Sequence, residues 1–140
     1  MAEHSKDIIF KDKKYASIVN VLSSPEGLSF VTEDEDFIQI GIWNYKKNTK
    51  LPNHYHNTFD RNAERTSECV FVLKGSVTCN LFTDEGVFIG EYLITENELM
   101  IQYVGAHEYI INEDSVVLES KNGPYFGPDT DRTSVDYKKN

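Results

Sequence analysis

Cysteine is scarce in this chain: Cys69 and Cys79 are the only two among 140 residues, too few for a disulfide scaffold. Basic residues are short as well, with 14 Lys and Arg against 23 Asp and Glu, a net charge of −9. Such an acidic surface repels phosphate backbones and anionic membranes, so neither nucleic acid nor membrane is expected as a partner. No apolar run approaches the roughly 20 residues that span a bilayer. The opening Met1–Lys14 segment shows no basic stretch followed by an apolar one, so no signal peptide is expected and the predicted location is cytoplasmic. Repeats and low-complexity tracts are missing, as is almost any helical periodicity.

What is present is a globular composition, 39% hydrophobic and 26% charged, on a length that suits one domain over residues 1–140. Short runs rich in Val, Ile, Phe and Tyr alternate with polar or glycine-bearing breaks, which predicts an all-β fold. Strands are expected at Tyr15–Leu22, Leu28–Thr32, Phe37–Tyr45, Leu51–His56, Glu68–Lys74, Ser76–Thr83, Val87–Ile94, Leu99–Tyr103, His107–Asn112 and Val116–Ser120. They recur about every ten residues, the spacing of a sandwich or barrel. The segment 123–140, with Gly123-Pro124 and Gly127-Pro128, reads as an extended tail ending in mobile residues.

Lys74-Gly75 reads as a two-residue hairpin turn that sets Val70 opposite Cys79 and Glu68 opposite Leu81. Alternation then places Glu68, Val70, Val72, Val77, Cys79 and Leu81 on one buried face. Glu68 stands at the end of that apolar stripe, where a carboxylate is costly unless paired, protonated or bound to a cation. Cys79 is expected nearby as a small buried hydrophobe, and Cys69 on the opposite face.

The chemistry-bearing residues are few. His54 and His56, two apart on an expected strand, would point to one side about 7 Å apart. With Glu68 and His107 they would form a set of three nitrogens and one oxygen, suited to Fe, Mn, Ni, Co or Zn with positions left open. His4 lies near the chain start and is read as incidental. Arg61 and Arg65, in the segment Asn57–Ser67, are either a clamp for a substrate anion or partners of Asp60 and Glu64. Tyr109 shares parity with His107 and is a candidate hydrogen-bond donor inside the fold. Trp43, Tyr45 and Tyr103 are candidates for core or interface. The acidic run Glu33–Asp36 reads as a solvated turn.

His54-Tyr55-His56, Glu68 and Gly75 resemble the first motif of the cupin superfamily, and Gly105-Ala106-His107 resembles the second. The resemblance covers a core of about residues 28–120 and implies a double-stranded β-helix, or jelly-roll barrel. It implies a divalent transition metal held by His54, His56, Glu68 and His107. The long connection from His56 to Glu68 leaves Glu64 as a rival to Glu68. An enzyme acting on a small polar substrate is expected, such as an isomerase or epimerase of a sugar derivative. A metal-dependent oxygenase and a non-catalytic ligand-binding cupin are the alternatives. The family also implies a homodimer, with the N-terminal strands over residues 8–22 covering a sheet edge.

Overall fold

A computed structural model of the chain describes residues 4–137, which form an all-β, antiparallel structure. Its strands are β1 (Ser5–Phe10), β2 (Lys13–Asn20), β3 (Gly27–Phe30), β4 (Gly41–Asn44), β5 (Glu68–Lys74), β6 (Ser76–Phe82), β7 (Phe88–Thr95), β8 (Glu98–Gln102), β9 (Ala106–Ile111) and β10 (Val116–Lys121). A 3-10 turn, Val21–Ser23, follows β2, and a short α-helix, α1 (Pro128–Asp131), lies in the C-terminal segment. A five-stranded sheet runs β1-β2-β8-β5-β10, a three-stranded sheet runs β7-β6-β9, and β3-β4 form a separate ribbon. The sheets face each other as in a β-sandwich, and no barrel closes.

Two apolar clusters account for the layering. Between the sheets, Ala16, Val70, Val72 and Met100 of the larger one meet Val77, Cys79, Leu81 and Ile94 of the smaller one. On the far side of the five-stranded sheet, Val19, Cys69, Leu99, Ile101 and Tyr103 are covered by Ile38 and Ile42. The middle of that sheet, β2, β8 and β5, is therefore buried on both faces. Its middle strand β8 accordingly carries an unbroken apolar run, Leu99-Met100-Ile101, where a half-solvated strand would alternate. The two cysteines sit in different clusters as free thiols, as their opposite parity predicts.

The expected hairpin at Lys74-Gly75 does not form. β5 pairs with β8 and β10, whereas β6 pairs with β7 and β9, so the chain leaves one sheet and enters the other across Gly75. The six residues assigned to one inward face do point inward, but from two sheets toward each other. Gly75 makes this corner possible: its φ is +85°, and a Cβ there would collide with Ser115 Oγ and crowd the Asp114 carbonyl.

A second correction concerns Leu51–His56, where no strand forms. From Tyr45 to Ser67 the chain has neither strand nor helix, and most of that span is exposed. Its apolar residues Leu51, Tyr55 and Phe59 remain in solvent, so there is no buried face to reward an extended pairing.

At the N-terminus, β1 pairs with β2, and β2 with β8, so these strands extend the chain's own sheet. His4 is buried, its carbonyl accepting from Asn20 N at 2.9 Å, and belongs to that edge, outside the set His54, His56, Glu68 and His107. The C-terminal segment turns back onto the outside of the smaller sheet, where the Tyr137 ring lies 4.0 Å from that of Phe82. The expected mobile end concerns Lys138–Asn140, outside the described residues. The Glu33–Asp36 turn is as expected: Asp36 accepts from Glu33 N at 2.8 Å, and Gln39 Nε2 donates to the carbonyls of Glu33 and Asp36.

Candidate functional site

A cleft of about 1090 Å³ opens at one end of the space between the sheets. Its floor carries Glu68, Val70 and Gln102 of the larger sheet and His107 and Tyr109 of the smaller one. The connection Ala63–Thr66 and the C-terminal stretch Thr130–Val135 line its rim.

Glu68 is set by what precedes it. Ser67 N donates to Asn122 Oδ1 at 2.8 Å, Asn122 Nδ2 donates to the Arg65 carbonyl at 3.2 Å, and Thr66 Oγ1 donates to Asp131 at 2.6 Å. The start of β5 is thus tied to the segment that follows β10. His107 is set by the β8–β9 turn. There Gly105 takes a φ of +92°, a Cβ being barred by the Phe82 carbonyl and the Tyr15 ring, and Gln102 Nε2 donates to the Gly105 carbonyl at 3.0 Å.

The two side chains meet across the cleft. His107 Nε2 lies 3.0 Å from Glu68 Oε1, the carboxylate 15% exposed and the imidazole 32%. Burial would raise the Glu68 carboxyl. The hydrogen bond from His107, with the charges of His107 and Lys121, outweighs burial and the nearby Asp131, and holds Glu68 below its ordinary value of 4.5. Glu68 is therefore an ionised acceptor at neutral pH. Tyr109 lies beside them, its ring centroid 5.2 Å from that of His107. Burial pushes its phenol far up, reinforced by Cys79 and Glu68, so it is a proton-holding group. Burial likewise carries the Cys79 thiol up to about 12, which leaves it a protonated, unreactive part of the core beneath the cleft.

The other expected site residues are placed differently. His54 and His56 lie on the exposed Tyr45–Ser67 connection with ring centroids 5.0 Å apart, and neither lines the cleft. Glu64 reaches only the rim. Arg61 stacks on Phe59, its guanidinium 3.9 Å from the ring centroid, away from the cleft lining. Arg65 does line the rim, but its partner is Asp84 at 2.8 Å rather than Asp60 or Glu64. Of the other aromatics, Tyr103 is buried and Trp43 is exposed with its edge toward Tyr45.

Glu68 and His107 satisfy each other, and among the described residues no group of three His, Cys, Asp or Glu side chains could hold a metal ion.

Sequence reasoning overlooked Gln102. The signal was there: one amide interrupts the apolar run from Leu99 to Tyr103 with the parity of buried Met100. It also overlooked the tail residues from Asn122 to Val135, which come to the cleft only because the chain folds back.

Compared with family models, curated proteins and solved structures, the chain gives no match. Among the described residues, no helix is long and apolar enough to cross a membrane.

Proposed function

We propose that this chain is a cupin-type jelly-roll protein that binds a small polar molecule in the cleft and shifts a proton on it. The reaction class is isomerase or epimerase, on a sugar derivative. The observation that carries this reading is the Glu68–His107 pair, 3.0 Å apart and half-sheltered on the floor of a ligand-sized cleft. An ionised carboxylate accepts from His107 Nε2, orienting the imidazole, and supplies counter-charge when the other ring nitrogen, Nδ1, takes a proton from carbon. Tyr109 lines the cleft beside the pair and keeps its proton, its hydroxyl donating to Met100 Sδ at 4.0 Å in the core between the sheets.

The test is deuterium wash-in. The protein is incubated in D₂O with a panel of aldoses, ketoses and their phosphates, and carbon-bound hydrogen is followed by NMR. Exchange that falls about 10²–10⁴-fold in His107→Gln supports the reading. Exchange that is absent throughout the panel, or unchanged in His107→Gln, overturns it.

A second reading is a divalent-metal centre, Lewis-acid or oxygenase in type. It is favoured by the His54–His56 pair, two exposed imidazoles with centroids 5.0 Å apart. It requires the connection carrying them to reach Glu68 and His107. Elemental analysis separates the two readings: metal bound by the wild type and lost in a His54→Ala/His56→Ala double variant favours the second.

A further inference from the structure

The β3–β4 ribbon turns one face to the core and leaves the other bare. Ile42 points into the cluster on the far side of the five-stranded sheet and is buried. Leu28 and Phe30 alternate onto the opposite face, where the register sets Trp43 across from Leu28 and Gly41 across from Phe30. Gly41 has no side chain, and its two neighbours close over it. A Cβ there would stand 3.1 Å from Leu28 Cδ1 and 3.3 Å from Phe30 Cε1. Trp43 carries the row on to Tyr45, the two rings edge to face at 6.2 Å. Leu28, Phe30 and Trp43 are 47%, 59% and 67% exposed, and none of them lines the cleft. A contiguous row of large apolar side chains on a bare sheet face marks an interface, and Trp and Tyr are the residues that dominate binding at one.

Charge at the two ends of the ribbon selects what covers it. Beyond the Gly27–Asn44 end the chain runs into Lys46, Lys47 and Lys50; beyond the Phe30–Gly41 end the connection carries Glu33, Asp34, Glu35 and Asp36. Lys46 pairs with Glu26 and Asp36 with Lys14, whereas Lys47, Lys50, Asp34 and Glu35 make no ion pair among the described residues. A complementary partner therefore offers an apolar face that is acidic at one end and basic at the other. A second copy of this chain does so. A two-fold axis lying across the strands brings each basic end over the partner's acidic end, while an axis along the strands would set like charges together. We propose that two copies dimerise face to face through their β3–β4 ribbons, antiparallel about a two-fold axis across the strands, burying Leu28, Phe30, Trp43 and Tyr45 between them.

Sedimentation equilibrium on the full chain tests this. The wild type is expected to sediment at twice the 16.1 kDa chain mass, and Trp43→Ser to dimerise at least about tenfold more weakly. A monomeric wild type, or a dimer undiminished in Trp43→Ser, overturns the interface. The charged ends are read with two further variants, substituted only in exposed connections. Lys47→Glu/Lys50→Glu reverses charge at the basic end, and Asp34→Lys/Glu35→Lys reverses it at the acidic end. Each alone should dimerise at least about tenfold more weakly than wild type, because like charges then meet at both junctions. Mixed in equal amounts, the two should dimerise again, since every junction once more sets opposite charges together. That recovery also shows that neither variant is unfolded. Variants that each dimerise as wild type does, or a mixture that stays monomeric, overturn the antiparallel two-fold arrangement.

Discussion

Glu68 and His107 join two sheets that share no strand pairing: the carboxylate leaves β5, the imidazole leaves β9, and they meet at 3.0 Å. The contact is thus a polar clasp at the open end of an apolar sandwich, as well as the centre of the candidate site.

Acid should weaken that clasp. The folded carboxyl of Glu68 lies below its ordinary value of 4.5, so its contribution is full above that value and lost as pH falls through the lower, folded one. Thermal melts from pH 7 down to pH 3 should show wild type losing more stability than Glu68→Gln. At pH 7 the variant should be less stable by about 1–3 kcal/mol. Parallel losses on acidification would show that the pair contributes nothing.

Alkali should act on the thiols. Burial raises Cys69 to about 11 and Cys79 to about 12 from 9.0. Both groups therefore favour the fold fully below pH 9, and that contribution falls as pH climbs toward 11 and 12. At pH 8 the native protein should react with a thiol reagent far more slowly than the same chain in guanidinium, where both cysteines become reactive. Rapid native labelling of either one would contradict its burial.

The C-terminal strap should be worth measurable stability. Tyr137 packs on Phe82, which is 1% exposed, and its hydroxyl donates to Glu108. Tyr137→Ala removes both contacts and should lower the urea unfolding midpoint. Tyr137→Phe keeps the ring and should lower the midpoint by less than alanine does. If alanine costs no more than phenylalanine, the stack is not a stabilising contact.

Gly75 should resist replacement. With φ at +85° and no room for a Cβ, Gly75→Ala should destabilise by more than about 1 kcal/mol, read from the denaturant midpoint. His54→Ala/His56→Ala is the contrasting case: both rings are exposed, so without bound metal the change should stay within about 0.5 kcal/mol for each substitution.

How far the sequence carried is clearest at β5 and β6. The alternation of Val70, Val72, Val77, Cys79 and Leu81 announced an inward face, and all five are buried. The same letters could not say whether Lys74-Gly75 folds one sheet back on itself or hands the chain to another. A glycine at positive φ serves both, and the outcome turns on Ser115 and Asp114, which arrive about forty residues later. At Leu51–His56 the apolar spacing suggested a strand, yet no neighbouring edge pairs with it and the segment stays in solvent.

The site divides in the same way. Glu68 was legible as a carboxylate ending an apolar stripe, and Tyr109 as sharing the parity of His107, because period-2 alternation is a local property of the chain. The meeting of Glu68 with His107, the exclusion of His54 and His56 from that cleft, and the arrival of Gln102 and the tail are not local. Local patterning therefore gave most of the strands, the buried faces of β5 and β6 and the chemistry available, but not the absence of a strand at Leu51–His56. Tertiary structure alone decided which strands became neighbours, since that is settled by long-range pairing and by mutual burial of faces that no short window of sequence contains.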